Sequence, residues 1–232
     1  MTENRTALIA GATRGIGLGV TKEFLARGWD VITTARDPQG ATALKELAAQ
    51  FPGRVSILAL DMADPGSIDG FAASLGGRMV DAALMNAGVA GPAHRSANAV
   101  TQAEIGELMF VNAIAPVRLA RSLADLVRPG TGVIGFTSSV MGSVAQNPGG
   151  HELYRASKAA LNSLCRGLWA EISGKQLTMI SLHPGWVRTD MAGPAAPVSV
   201  EDSASGIVTV IEGQAGAHQH RFIDYTGKEL PW

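Results

Sequence analysis

The chain has 232 residues, 46% hydrophobic and 17% charged, which is enough apolar content for a packed core and excludes wholesale disorder. Lys plus Arg number 19 against 20 Asp plus Glu, so a formal charge of −1 provides no general electrostatic hold on nucleic acid or anionic lipid. A single cysteine, Cys165, rules out an intramolecular disulfide framework and a Cys-based zinc site. No run of roughly 18 apolar residues is present to span a membrane. The opening, Met1 to Ala10, is too short and too polar to read as a signal peptide, so the expected compartment is reducing and cytoplasmic.

In chain order, short apolar runs alternate with longer helix-like segments. The runs are Ala7–Ala10, Val31–Thr34, Val55–Leu60, Val80–Met85, Val133–Thr137 and Leu177–Leu182. Most lack polar alternation, as expected for strands buried on both faces. Between them lie Ile16–Arg27, Ala41–Gln50, Pro65–Leu75, Thr101–Arg128 and Glu152–Ser173, with apolar residues at helical spacing and Gly or Pro at several junctions. This alternation predicts an α/β fold, a Rossmann-type doubly wound parallel sheet with helices on both faces. No composition break divides the chain, so a single domain over residues 1–232 is expected. Ligands in such folds sit beyond the carboxyl ends of the strands, which directs attention to the loops after each one.

The first of those loops reads Gly11-Ala12-Thr13-Arg14-Gly15-Ile16-Gly17. Glycines in a turn that opens a helix let the backbone approach a pyrophosphate, and the helix start offers free N–H groups and partial positive charge. The glycine spacing alone is a weak signal; its place between a strand and a helix strengthens it. Dinucleotide sites that bind NAD carry an acid at the end of the second strand to hold the ribose 2′-OH. This chain has Arg36 there and a second cation, Arg14, inside the loop. Two guanidinium groups suit a 2′-phosphate, so NADP(H) is favoured over NAD(H), unless Asp37 neutralises Arg36 or either arginine is simply solvated. Asp61, after the third strand, is placed to meet the adenine amino group or to cap the helix that follows.

Tyr154 and Lys158 stand four apart in a helical segment, on one face and one turn apart. A phenol titrates near 10, and a neighbouring ammonium is expected to lower that value and ease proton transfer. The bland alternative is an amphipathic helix with a tucked tyrosine and a snorkelling lysine. The preceding strand ends in the hydroxyl pair Ser138-Ser139, which suits holding a carbonyl oxygen beside the phenol.

These residues carry a resemblance. Gly11-x-x-x-Gly15-x-Gly17, Asn86-Ala87-Gly88, Asn112, Ser139, Tyr154-x-x-x-Lys158 and Pro184-Gly185 fall in the order and approximate spacing of the short-chain dehydrogenase/reductases, across essentially the whole chain. Residues 154–162, 183–191 and 224–232 look like the C-factor branch, which is similar to the Sniffer-type carbonyl reductases. The resemblance implies a catalytic tetrad. Tyr154 would be the general acid or base, and Lys158 would lower its pKa and bind the nicotinamide ribose. Ser139 would polarise the carbonyl and Asn112 would hold a water in the proton relay. It further implies cofactor contacts from Gly11, Thr13, Arg14, Gly15, Ile16, Gly17, Asp61, Met62, Asn86, Ala87, Gly88, Pro184, Gly185, Val187 and Thr189. The implied substrate is a small carbonyl or alcohol, and the implied assembly a homodimer or homotetramer.

The chain departs from the family pattern in places. Ala10 stands where Thr is common, and Met85 where the first Asn of Asn-Asn-Ala-Gly is usual. The stretch from Ser139 to Tyr154 is longer than is common, with Asn147-Pro148-Gly149-Gly150 forming a loop. The stretch between Met191 and Val200 is short where many relatives carry a lid, so an open pocket is expected. The five histidines are not read as metal ligands, since only His218 and His220 are close in sequence. Cys165 reads as core. Trp169, Leu161, Leu164 and Leu168 leave their helix apolar around much of its circumference, which suggests deep burial or, the favoured reading, a subunit contact. Two other classes compete with a reductase: a C-factor-like dinucleotide-binding signalling protein with little turnover, and a methyltransferase, which would leave Tyr154 and Lys158 without a role.

Overall fold

A computed structural model describes residues 4–232. Met1, Thr2 and Glu3, part of the opening segment and of the expected single domain, lie outside the described residues. Seven strands form one parallel sheet: β1 (Thr6–Ala10), β2 (Asp30–Ala35), β3 (Val55–Ala59), β4 (Ala82–Met85), β5 (Val133–Thr137), β6 (Thr178–His183) and β7 (His220–Asp224). Their order is β3-β2-β1-β4-β5-β6-β7. The winding reverses between β1 and β4, and that crevice is where a doubly wound sheet receives its ligand.

Each strand sends alternate side chains to opposite faces. Leu8, Ala10, Ala83, Met85, Ile134 and Phe136 join one apolar layer with α3 (Pro65–Ser74), α5 (Ala115–Leu123) and α6 (Glu152–Ile172). Ala7, Ile9, Ala82, Leu84, Ile180 and Leu182 join the other with α1 (Gly15–Ala26), α2 (Thr42–Gln50) and α7 (Val200–Gly213). Both faces are therefore covered, and the expected fold class is correct.

Several element boundaries differ from expectation. The segment Thr101–Arg128 is not one helix: α4 (Gln102–Met109) gives way to a π-turn over Phe110–Ile114 before α5 begins. Thr101 and Glu104 form a reciprocal capping box that fixes the start of α4. Val80 lies outside β4, in an isolated bridge to Val127. Neither α7 nor β7 appears among the expected elements. The strand escapes a search for apolar runs because His220, Arg221 and Asp224 interrupt it at the sheet edge. On α6, Leu161 and Leu168 are fully buried, and Leu164 and Trp169 pack against the same layer. Leu161 and Leu168 are thus used within the chain, while Leu164 and Trp169 remain partly open.

Candidate active site

The glycine loop is built by close backbone approach. Gly11 has φ +89°, and a Cβ there would lie 2.8 Å from Ala87. A Cβ on Gly17 would lie 2.0 Å from the Gly11 carbonyl oxygen and 2.6 Å from Asn86 Nδ2, so only glycine fits. Gly11 N donates to Thr34 Oγ1 at 3.0 Å, tying the loop to the end of β2. On the other flank, Asn86 N and Ala87 N both donate to the Ala10 carbonyl, and Asn86 Nδ2 donates to that of Gly11 at 2.8 Å. Thr137 Oγ1 donates to Asn86 Oδ1 at 3.1 Å. One hydrogen-bonded seam thereby joins the ends of β2, β1, β4 and β5.

Helix α1 starts at the floor of this crevice without a capping side chain and with no acid in its first turn. Its leading N–H groups have no side chain in place to satisfy them, which fits a bound pyrophosphate. Thr13 and Arg14 are exposed beside it, while Gly15 and Ile16 are half-buried. Thr189 reaches the loop from the segment after β6, its methyl group 3.4 Å from where a Gly15 Cβ would stand. Pro184 is buried and its carbonyl accepts from Ser203 Oγ, Gly185 has φ +89°, and Val187 is buried and bridged to Val198.

The two candidate 2′-phosphate cations differ. Arg14 Nη1 lies 2.7 Å from Asp190 Oδ2 in an ion pair with both side chains about four-fifths exposed. Arg36 is exposed at the end of β2; among the described residues it forms no ion pair with Asp37, whose carboxylate accepts from Gln39 N. Asp61 is half-buried and accepts from Ala63 N, while Met62 is buried. The capping alternative for Asp61 is incorrect. Asp64 caps α3, because its side chain alone reaches Gly66 N and Ser67 N.

Of the four expected reacting residues, Tyr154 and Lys158 stand one turn apart on α6, Asn112 comes up to Lys158 beside Gly88, and Ser139 follows the end of β5. Lys158 is buried and its Nζ donates to the Thr137 carbonyl at 2.8 Å. Asn112 sits in the π-turn, whose wider loop aims it inward. Both of its amide hydrogens are used, on Val89 O and Ser157 Oγ, and Oδ1 accepts from Val89 N. A Cβ on Gly88 would lie 3.2 Å from Asn112 Oδ1 and 3.6 Å from Lys158 Nζ, so these three residues meet at one point. The two serines are also distinguished. Ser138 Oγ donates to Asn162 Oδ1 at 2.7 Å, whereas Ser139 Oγ accepts from Met141 N and keeps its own proton free.

Electrostatics correct one expectation. The Tyr154 phenol is not acidified here: burial pushes it up to about 12. Burial likewise pulls the Lys158 ammonium down to about 8. The amine bonds a carbonyl rather than the phenol, and Nζ stands 5.7 Å from the ring centre, so desolvation of each group outweighs their mutual attraction. Burial also raises the Cys165 thiol well above its usual range, consistent with a core role.

Three supporting residues were not picked out from the sequence: Thr34, Ser157 and Asn162. The last two stand in the same nine-residue stretch as Tyr154 and Lys158, but each also bonds a residue far away in sequence, Asn112 for Ser157 and Ser138 for Asn162. A cavity of about 260 Å³ between α4 and residues 89–92 contains none of the four reacting side chains. Around the loops after β5 and β6, Val144, Trp186 and Met191 are more than half exposed. Among the described residues no helix is long and apolar enough to cross a membrane.

The short chain dehydrogenase family model matches residues 5–198. The C-signal of Myxococcus xanthus is 38% identical over 66% of this chain and 93% of its own length. A carbonyl reductase from Pseudomonas aeruginosa PAO1, solved in complex with NADP, is 42% identical with a TM-score of 0.91, covering 99% of this chain and all of that one. The carbonyl reductase Sniffer of D. melanogaster is 30% identical with a TM-score of 0.87, again over 99% of this chain and all of the other.

Proposed function

Because this chain belongs to the short-chain dehydrogenase family and is an oxidoreductase of its C-factor and Sniffer branch, we propose that it is an NADP(H)-dependent reductase of apolar carbonyl compounds. The observation that carries the reading is the convergence of Asn112, Gly88 and Lys158 beside the end of β5, next to a serine whose proton is free. The uncapped start of α1 and the exposed Arg36, which has no ion pair among the described residues, support NADP(H), as does the NADP found in the Pseudomonas reductase. Gly11, Thr13, Gly15, Ile16 and Gly17 would hold the pyrophosphate, and Arg14 and Arg36 the 2′-phosphate. Asp61 and Met62 would border the adenine, Asn86, Ala87 and Gly88 the ribose, and Pro184, Gly185, Val187 and Thr189 the nicotinamide end. Bound NADPH supplies the hydride that goes to the carbonyl carbon.

The chain's own groups supply position and the proton. Ser139 Oγ–H donates a hydrogen bond to the carbonyl oxygen, and Tyr154 O–H gives that oxygen its proton. A phenol held at about 12 remains protonated at neutral pH, as an acid in the reductive direction must. Lys158, anchored on Thr137, has two further N–H donors that would serve the nicotinamide ribose and the phenol, and Asn112 Oδ1 keeps a lone pair for a relay water. The open apolar side chains of Val144, Trp186 and Met191 favour an aromatic or aliphatic substrate. Replacing Tyr154→Phe keeps the ring and removes the proton. NADPH-dependent reduction of an aldehyde panel should fall by about 10²–10⁴-fold. Undiminished turnover would remove Tyr154 from the mechanism.

The kinship with the C-signal supports a second reading, a dinucleotide-binding signalling protein with little turnover. Tight NADPH binding without reduction of any aldehyde, ketone or quinone would favour it.

A further inference from the structure

The segment after Ser139 has an unexpected anchor. Val140–Gly142 form a single 3₁₀ turn, held to α6 by Asn162 Nδ2, which lies 3.4 Å from the Gly142 carbonyl. Beyond it, Ser143 is buried while its neighbour Val144 is open. The Ser143 hydroxyl accepts from Gln146 N at 3.1 Å and donates to the backbone oxygen of Trp232 at 3.4 Å. That same oxygen accepts from Ala145 N at 3.2 Å. Residues 228–230 arrive there by folding back along the free edge of β7. Asp224 N donates to Lys228 O, Leu230 N donates to Phe222 O, and Ile223 bridges Glu229. This covers an edge that would otherwise invite pairing. The Trp232 indole then packs on His220 and Phe222, with ring centres 4.9 and 5.2 Å away, and under Arg166 at 5.3 Å.

We propose that Trp232 is a positioning residue that straps the Ser139–Gly150 segment to the β7 edge and so holds the wall between Ser139 and Tyr154 in its working geometry. Its contacts divide the labour. The ring fixes the tail on β7 and α6, and the backbone oxygen fixes Ser143 and Ala145. Trp232 is held at the β7 edge, five strands from β2 and four from β1 in the sheet, so its effect falls on the carbonyl substrate and spares NADPH. The inference rests on the reductase reading of Ser139 and Tyr154.

The experiment compares wild type, Trp232→Ala, Trp232→Phe and Ser143→Ala in three measurements. These are amide hydrogen exchange across residues 139–150, NADPH affinity by fluorescence titration, and steady-state reduction of an aromatic aldehyde. In Trp232→Ala, exchange at Ala145 and Gln146 should rise at least about tenfold as the strap is released. Its kcat/KM for the aldehyde should fall about tenfold, with NADPH affinity within about twofold of wild type. Trp232→Phe keeps a ring on His220 and Phe222 and should recover most of the loss. Ser143→Ala leaves the tail intact and should reproduce part of it, which keeps the test open should Trp232→Ala fold poorly. Unchanged exchange, or faster exchange with undiminished kcat/KM, overturns the proposal; so does a parallel loss of NADPH affinity. A wild type that binds NADPH but reduces no carbonyl sinks the reductase reading and this one together. An active wild type with unmoved variants sinks only this one.

Discussion

Lys158 Nζ stands 5.7 Å from the centre of the Tyr154 ring and donates its hydrogen bond to Thr137, not to the phenol. The pair is one helical turn apart, yet the amine is drawn to the end of β5. Their proton affinities therefore answer first to burial, which lowers the amine to about 8 and raises the phenol to about 12.

A pH profile follows from this. In the proposed mechanism, reduction needs the phenol protonated and the amine charged. Between pH 6 and the lysine value both conditions hold, so kcat/KM for NADPH-dependent reduction should be level. Above about pH 8 it should fall by about tenfold per pH unit as Lys158 loses its proton. A profile that stays level to pH 10 would show that the Lys158 charge plays no part.

In the proposed reading, cofactor choice rests on the two arginines. Arg36→Ala should weaken NADPH binding about tenfold more than NADH binding, since only the former carries the 2′-phosphate. Arg14 has a carboxylate to leave first. Asp190→Asn frees it and should tighten NADPH by up to about fivefold, the scale of an exposed ion pair. Fluorescence titration with both nicotinamides decides; equal effects on the two would take the phosphate away from these side chains.

Acid should destabilise the fold through two histidines. Burial holds His183 and His220 down to about 4, with Asp224 opposing the shift at His183 and Arg166 adding to it at His220. Their Nδ1 atoms are buried without a partner. Between pH 6.5 and 4 the unfolded chain takes up protons that the folded chain does not, so stability falls as pH drops through that window, by at most about 3 kcal/mol per histidine. Urea midpoints measured from pH 7 to 4.5 should decline, and His220→Gln should flatten the decline. An unchanged slope in that variant would mean His220 titrates normally.

Glycines that look alike in sequence should behave differently. Gly17→Ala places a methyl group 2.0 Å from a backbone oxygen and should cost about 3 kcal/mol or more, with loss of NADPH binding. Gly28→Ala has φ +87° but open space around it, and should cost only about 1 kcal/mol with binding retained. Denaturant melts of the two variants check the contrast; similar midpoints would contradict the packed loop.

Much of the architecture was legible because its signals are local. Apolar runs such as Val133–Thr137 and periodic segments such as Glu152–Ser173 announce their elements, and the glycine loop sits at the one junction where a doubly wound sheet needs it. The π-turn at Asn112 was not legible: the partners of the Asn112 amide, Val89 and Ser157, lie 23 and 45 positions away. Strand β7 was missed for a related reason: at the sheet edge, packing against one neighbour substitutes for a continuous apolar run.

Residue types and their spacing determine which chemical groups this protein possesses: a phenol and an amine on one helical face, a hydroxyl pair at a strand end, two guanidinium groups near a glycine turn. Only the folded chain decides how they are wired. It gives the Ser138 proton to Asn162 and leaves that of Ser139 free, draws Lys158 to Thr137, pairs Arg14 with Asp190, and brings Trp232 onto the loop beyond Ser139. Those choices depend on contacts between residues dozens of positions apart and on how much water each group loses, neither of which is a property of local sequence.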